Sequence, residues 1–320
     1  MNVERARKAL IKVSYACNNR CLFCHSAPLR GRVAANLTSL KAKITAARMR
    51  GFEMVVLSGG EPTIHPNLGA LLKHIRREGL ALGFVTNGRR FAHRPFLEGL
   101  ARFRLRYVYM SLHGAEAATH DRMVGTEAFP ETLAAVRNLA CSARETERSP
   151  GSAGGDLRLT VNCVVTNWNI DELEALVDLL GDIGGMRVKF SYLEPKGEAL
   201  TRLDELLPPP DVAARRIRAA IAHGTRYAHH ISLSWDALPF CLMPDHLDLY
   251  DDLATNGIEV MSEADELDFF PVDHANKGYA PICSACALKE RCPGLYHHAL
   301  ERYADTLKPH RGPRAEGRGN

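Results

Sequence analysis

The sequence has no run of eighteen uncharged apolar residues, so it offers no helix able to cross a bilayer. The segment Met1 to Ala9 is charged and lacks the apolar stretch of a secretory signal. Cysteine is sparse and odd in number, nine in 320 residues, which excludes a disulfide-stapled secreted scaffold. Neither sign of charge dominates; a net charge of +4 marks no partner class. Nor does any fixed-period repeat run along the chain, which excludes a solenoid. What is present is ordinary: 46% hydrophobic and 24% charged residues, enough to build a sizeable core. The length suits one large α/β unit plus a small module. Free thiols belong in a reducing compartment, so a cytoplasmic protein without membrane contact is expected.

Three of the cysteines lie within eight residues, Cys17, Cys21 and Cys24, in a C-x3-C-x2-C spacing. Three close thiolates can hold three irons of a [4Fe–4S] cube and leave the fourth iron open to a small chelating ligand, whereas four-cysteine clusters are closed and usually only carry electrons. The spacing also fits half of a zinc site completed by a distant histidine, with His25 adjacent.

Around this loop the pattern alternates strand and helix. Strands are expected over Ala9–Tyr15, Met54–Leu57, Leu80–Val85, Tyr107–Leu112, Leu157–Val165 and Val188–Leu193. Helices are expected over Leu40–Arg50, Asn67–Arg77, Pro95–Phe103, Glu131–Arg144 and Ile170–Asp182, with Ser149–Gly155 an exposed loop. Such alternation argues for a parallel sheet covered by helices. The segments able to carry chemistry fall where strands end: the cysteine loop, Ser58-Gly-Gly-Glu-Pro62, Thr86-Asn-Gly88 and Ser111-Leu-His-Gly114. In βα folds the loops at those ends converge on the site.

The order and spacing of these motifs over about residues 9 to 200 resemble the radical S-adenosylmethionine (radical SAM) superfamily. The resemblance implies a (β/α)6 partial barrel, an α/β fold with a small cysteine-rich C-terminal extension. It implies that Cys17, Cys21 and Cys24 ligate the catalytic [4Fe–4S] cluster and that SAM chelates the open iron. Gly59, Gly60 and Glu61 match the SAM amino-group contacts, Phe23 the residue whose backbone lies near the adenine, and Thr86, Ser111 and Asn162 further SAM-contacting polar positions. An ammonium group wants carbonyls and a carboxylate, and glycine lets backbone come close. His113 is a candidate substrate contact, and Arg122 lies near, but offset from, the family's carboxylate-binding arginine.

A second set follows: Cys241, then Cys283-Ser-Ala-Cys286, then Cys292. Four cysteines make a closed site, all-thiolate zinc or a fully ligated [4Fe–4S] cluster. The resemblance favours iron, because twitch or SPASM extensions of radical SAM enzymes house an auxiliary cluster. Such a cluster would take an electron from a substrate radical and suit a net oxidation. The expected division is a core over 1–205, a cluster extension over 206–302 opened by Leu206-Leu-Pro-Pro-Pro210, and a disordered basic tail over 303–320. Cys141 and Cys163 read as core residues.

The expected function is reductive cleavage of SAM to a 5′-deoxyadenosyl radical that takes hydrogen from a peptide or small-molecule substrate. An electron donor such as flavodoxin or ferredoxin is implied, and the short basic tail alone does not call for nucleic acid. The other reading is a zinc or iron–sulfur protein, structural or electron-carrying, without SAM turnover.

Overall fold

The structure, a computed structural model, describes residues 6–32, 36–148, 157–266, 268–272 and 274–311. Its strands are β1 (Lys8–Ser14), β2 (Met54–Gly59), β3 (Ala81–Thr86), β4 (Leu105–Ser111), β5 (Arg158–Val165), β6 (Met186–Tyr192), β7 (Ile231–Asp236), β8 (Ile258–Ser262), β9 (Phe270–Pro271), β10 (Lys277–Gly278) and β11 (Leu295–Tyr296). Its helices are α1 (Leu37–Met49), α2 (Leu68–Arg77), α3 (Arg94–Leu100), α4 (Ala117–Val124), α5 (Phe129–Arg148), α6 (Leu173–Ile183), α7 (Leu203–Leu206), α8 (Pro210–Gly224) and α9 (His297–Tyr303). Among the described residues one sheet carries nine strands in the order β7-β6-β5-β4-β3-β2-β1-β8-β9. All neighbours in it are parallel except β8 and β9.

The expected α/β partial barrel is thus present, its six strands in consecutive order. Local sequence explains the elements. The helix α2 places Leu68, Leu71, Leu72 and Ile75 on one buried stripe. In β2, Met54 to Leu57 are buried on both faces, the continuous apolar run of a covered parallel strand. The helix α1 starts where the Asn36 side chain accepts from Ser39 N–H at 2.9 Å.

The two faces of the sheet differ. The outer face packs Ile11, Leu57, Phe84, Val108, Val161 and Val188 in the main core beneath the helices. The inner face is apolar around Met54, Val56 and Tyr107. Farther along it turns polar, where Ser111, Asn162, Lys189 and Ser234 stand side by side on four adjacent strands.

Several expectations change. The segment after 206 first adds α8 and β7 to the same sheet, so the proline-rich stretch joins units of one sheet. The chain then crosses to the other edge, where β8 lies beside β1. The tail, expected to be disordered from 303, is placed through Arg311 with Leu307 buried. Cys163 is buried in the core, as expected, but Cys141 is half-buried on α5, where its thiol donates to Glu145 at 3.4 Å. The expected loop Ser149–Gly155 and the tail beyond Arg311 lie outside the described residues.

Candidate active site

The strand β1 ends at Ser14 and delivers the cysteine loop over the C-terminal edge of the sheet. Five hydrogen bonds fix that loop. Arg20 N–H donates to Val124 O at 2.8 Å and Leu22 N–H to Met123 O at 3.1 Å, tying it to the end of α4. There Gly125, at φ +64°, lies so close that a Cβ would stand 2.4 Å from Arg20 O. Arg89 donates to Asn18 O at 2.9 Å and to Asn19 Oδ1 at 3.2 Å. Glu198 N–H donates to Cys24 O at 3.1 Å.

Cys17, Cys21 and Cys24 are all unpaired thiols and partly exposed. Burial, then the charges of Cys24 and Cys17, push Cys21 up to about 12. Cys17 is raised chiefly by burial, opposed by the Asn19 N–H that donates to its sulfur at 3.4 Å. Burial first, and the neighbouring thiols after it, thus oppose ionisation of Cys17 and Cys21. A cation shared between them removes that penalty, which is the chemistry of a metal or iron–sulfur ligand set. Among the described residues no three His, Cys, Asp or Glu side chains already stand grouped as ligands of one metal ion.

The Gly59-Gly60 turn packs directly on the root of this loop. Gly60 N–H donates to Ser14 O at 2.7 Å and Glu61 N–H to Ala16 O at 2.8 Å. A Cβ on Gly59 would meet Ser14 O at 2.1 Å, and one on Gly60 would meet Ala16 O at 2.2 Å. Close backbone approach, not only turn formation, therefore demands glycine at both positions. Gly59 additionally holds φ +130°.

Glu61 is 1% exposed. It accepts from Thr63 N–H at 2.9 Å, Thr63 Oγ1 at 2.5 Å, Thr86 Oγ1 at 2.8 Å and Asn87 N–H at 2.7 Å. Burial raises its pKa, and the same hydrogen bonds pull against that rise. Both carboxylate oxygens are thus engaged inside the protein, and the Thr86 hydroxyl is spent on Glu61. From there Asn87 Nδ2 reaches Asn18 Oδ1 at 2.7 Å and Cys17 Sγ at 3.9 Å. Glu61 and Thr86 thereby brace the cysteine loop through Asn87, a role the motif alone did not reveal.

The other expected residues lie along the same rim. The Phe23 ring meets His113 edge-on at 4.9 Å. His113 accepts from Val164 N–H at 3.1 Å through Nδ1, which leaves Nε2 as the protonated nitrogen. Burial, then His120, drives the His113 pKa down to about 3, so it is neutral. Ser111 and Asn162 are register partners on β4 and β5, and Asn162 Oδ1 accepts from Ser191 Oγ at 2.7 Å. Arg122 stacks on Trp168 at 3.7 Å. Asn169 holds the fifth strand end, donating to His113 O at 2.8 Å and Val164 O at 2.9 Å.

Cys241, Cys283, Cys286 and Cys292 line one small cavity, walled otherwise mainly by Pro239, Tyr279, Leu295, Leu307 and Pro309. Phe240 N–H donates to Cys292 Sγ and His310 N–H to Cys286 Sγ, each at 3.4 Å. Burial, then the other three thiols, pushes Cys241 up to about 11. Four cysteines around one cavity are a donor set of the type that binds zinc or an iron–sulfur cluster. Sequence reasoning missed Leu307 and His310, because nothing local in the tail shows that it folds back over this site.

The Radical SAM superfamily model matches residues 11–180. This chain belongs to the radical SAM superfamily. It is 32% identical over 223 residues to a PqqA peptide cyclase of Streptomyces rochei, covering 68% of this chain and 57% of that one. It is 26% identical over 217 residues to the mycofactocin maturase MftC of Mycobacterium tuberculosis, covering 67% and 52%. The chain thus spans about half the length of these curated relatives. Among solved structures, Streptococcus suis SuiB bound to its precursor peptide SuiA shares the fold, with a TM-score of 0.58 at 16% identity, covering 84% of this chain and 60% of that one. anSMEcpe with bound AdoMet and a Cp18Cys peptide also shares it, with a TM-score of 0.57 at 14% identity, covering 83% and 74%. Membership implies a [4Fe–4S] cluster and SAM, and the donor set of Cys17, Cys21 and Cys24 fits that cluster. Among the described residues no helix is long and apolar enough to cross a membrane.

Proposed function

We propose that this protein cleaves SAM reductively and modifies a peptide by radical chemistry, with net oxidation assisted by a second cluster. The observation that carries the reading is the bonding of the Gly59-Gly60 turn into the root of the Cys17–Cys24 loop. A ligand on the open iron would then lie against backbone at Gly59, Gly60 and Glu61. The chemistry supplied by the cluster and SAM when bound is one-electron reduction and formation of a 5′-deoxyadenosyl radical.

The chain's own residues do the rest. Cys17, Cys21 and Cys24 hold the cluster; Phe23 closes the adenine side; Ser111 and Asn162 offer polar groups at the rim toward the ribose. Glu61 and Thr86 serve as positioning residues. Peptide modification is supported by two relatives, one named a peptide cyclase and the other a maturase. Cys241, Cys283, Cys286 and Cys292 hold the second [4Fe–4S] cluster, within the expected extension 206–302. An electron carrier such as flavodoxin or ferredoxin supplies the reductant in a cytoplasmic setting.

The test is anaerobic reconstitution followed by iron and sulfide counts, then dithionite and SAM with detection of 5′-deoxyadenosine. About eight irons with product support both clusters, since each cubane holds four. About four irons with product would leave the second site to zinc, to be read from metal analysis. Wild type that releases no more 5′-deoxyadenosine than Cys24→Ala would refute the reading.

A further inference from the structure

The inner face of the sheet carries a group of polar side chains that the cysteine loop does not use. Lys189 on β6 is fully buried and pairs with Asp236 Oδ2 on β7 at 2.8 Å. Its ammonium also lies 5.5 Å from the Tyr109 ring centre. Burial alone would lower the Lys189 pKa, but Asp236 and Tyr109 raise it, so Lys189 keeps its charge. Register places Lys189 in one row with Ser111 and Asn162, two strands and one strand away. The pair therefore sits beside the rim assigned above to SAM, and Asp236 ends its strand at the C-terminal edge, its side chain 17% exposed.

The pair leaves hydrogen-bonding capacity open. Asp236 Oδ1 and Ser234 Oγ, the latter on the register partner of Lys189, are buried without a hydrogen-bond partner among the described residues. Buried polar atoms are almost always satisfied. Two of them at one ion pair mark a place where a polar guest belongs. The charge balance decides which guest. Lys189 is neutralised by Asp236 and the nearby Arg187 by Asp251 at 3.1 Å, while Lys277, the other lysine that feels Asp236, is pushed toward its neutral form by burial and also faces Asp252 and Glu194. A guest carrying net charge would bring an uncompensated ion into a low-dielectric face. A neutral guest must offer Asp236 Oδ1 a donor and the remaining Lys189 N–H groups an acceptor, side by side. The amide group has that pairing.

We propose that the Lys189–Asp236 pair receives an amide group of the substrate, its N–H donated to Asp236 Oδ1 and its carbonyl accepting from Lys189 Nζ. This rests on, and sharpens, the reading of a peptide substrate. A backbone peptide bond and a side-chain carboxamide share this chemistry.

Saturation-transfer NMR on the reconstituted holoprotein tests the site with three probes of one size: N-methylacetamide for a peptide bond, propionamide for a carboxamide and propionate for an anion. One or both amides should bind at least tenfold more tightly than propionate, and whichever leads tells backbone from side chain. The charge-balanced Lys189→Met/Asp236→Leu variant should keep its melting temperature and lose that preference, because exchange of a buried pair for apolar residues of similar volume is often neutral. If that variant does not fold, Asp236→Asn serves instead. It preserves size, puts an N–H where the acceptor stood, and should weaken the amides at least tenfold. Equal binding of all three probes, preferential binding of propionate, no binding at all, or unchanged amide binding in the variant would each overturn the proposal. The release of 5′-deoxyadenosine by wild type is measured in parallel. Its absence overturns the radical reading whatever the probes do. Its presence without an amide preference overturns only the amide site.

Discussion

Three side chains near the cysteine loop act through burial. Glu61 accepts hydrogen bonds from Thr63, Thr86 and Asn87 at no exposure to speak of. Glu61→Gln keeps the volume but turns one acceptor into a donor facing donors. The expected loss is about 2 kcal/mol in urea unfolding, with weaker iron retention, since Asn87 loses its anchor. His113 and His120 are held neutral, burial being the main cause in each, at about 3 and about 4. For a base the sign follows from proton counts: the unfolded chain binds protons from about pH 6.5 downward, and the folded one does not until those lower values. Stability is therefore full above pH 6.5 and falls as pH drops toward 4, by up to about 1.4 kcal/mol per pH unit per histidine. His120→Gln should remove about half of the slope these two contribute, read from unfolding curves at pH 7, 6 and 5.

Elements meet here by backbone contact as much as by side chains. The turn after β2 touches the root of the cysteine loop through glycine, so Gly60→Ala must lift one from the other. The expected outcome is a loss of about 1–3 kcal/mol together with fewer irons at the first site, measured by denaturation and iron analysis. The motif Gly-Gly-Glu was visible in the sequence, but its partner at Ser14–Ala16 was not, because that contact joins segments more than forty residues apart. The same reasoning sorts the elements. The first six strands were legible because their apolar residues face a covered sheet. The strand β7, Ile-Ser-Leu-Ser-Trp-Asp, was not, because its inner positions Ser232, Ser234 and Asp236 point toward the polar face and dilute the apolar signal. The strand β8 is five residues long and owes its place to β1, some 250 residues earlier. The short helix α4 lies between Gly114 and Gly125 and buries only His120, Met123 and Val124, too brief a stripe to register as a period.

At the scale of the molecule, the second cysteine set joins three stretches of chain: the turn after β7, the loop before β11 and the returning tail. Cys292→Ala should lower the iron count from about eight to about four while SAM-derived 5′-deoxyadenosine still forms, which separates the two sites in one preparation. The composition of the tail was legible, but its docking was not. Leu307 lines the cavity as a buried side chain, and His310 reaches Cys286 through its backbone, which no residue type announces.

The placement of β8 beside β1 has one more effect. Lys12 and Tyr15, at the root of the cysteine loop, bond Glu263 at 2.5 and 2.8 Å, just past β8. The flank of the loop is therefore completed by a segment about 250 residues further along the chain, and the first site is a product of the whole sheet rather than of its first units alone.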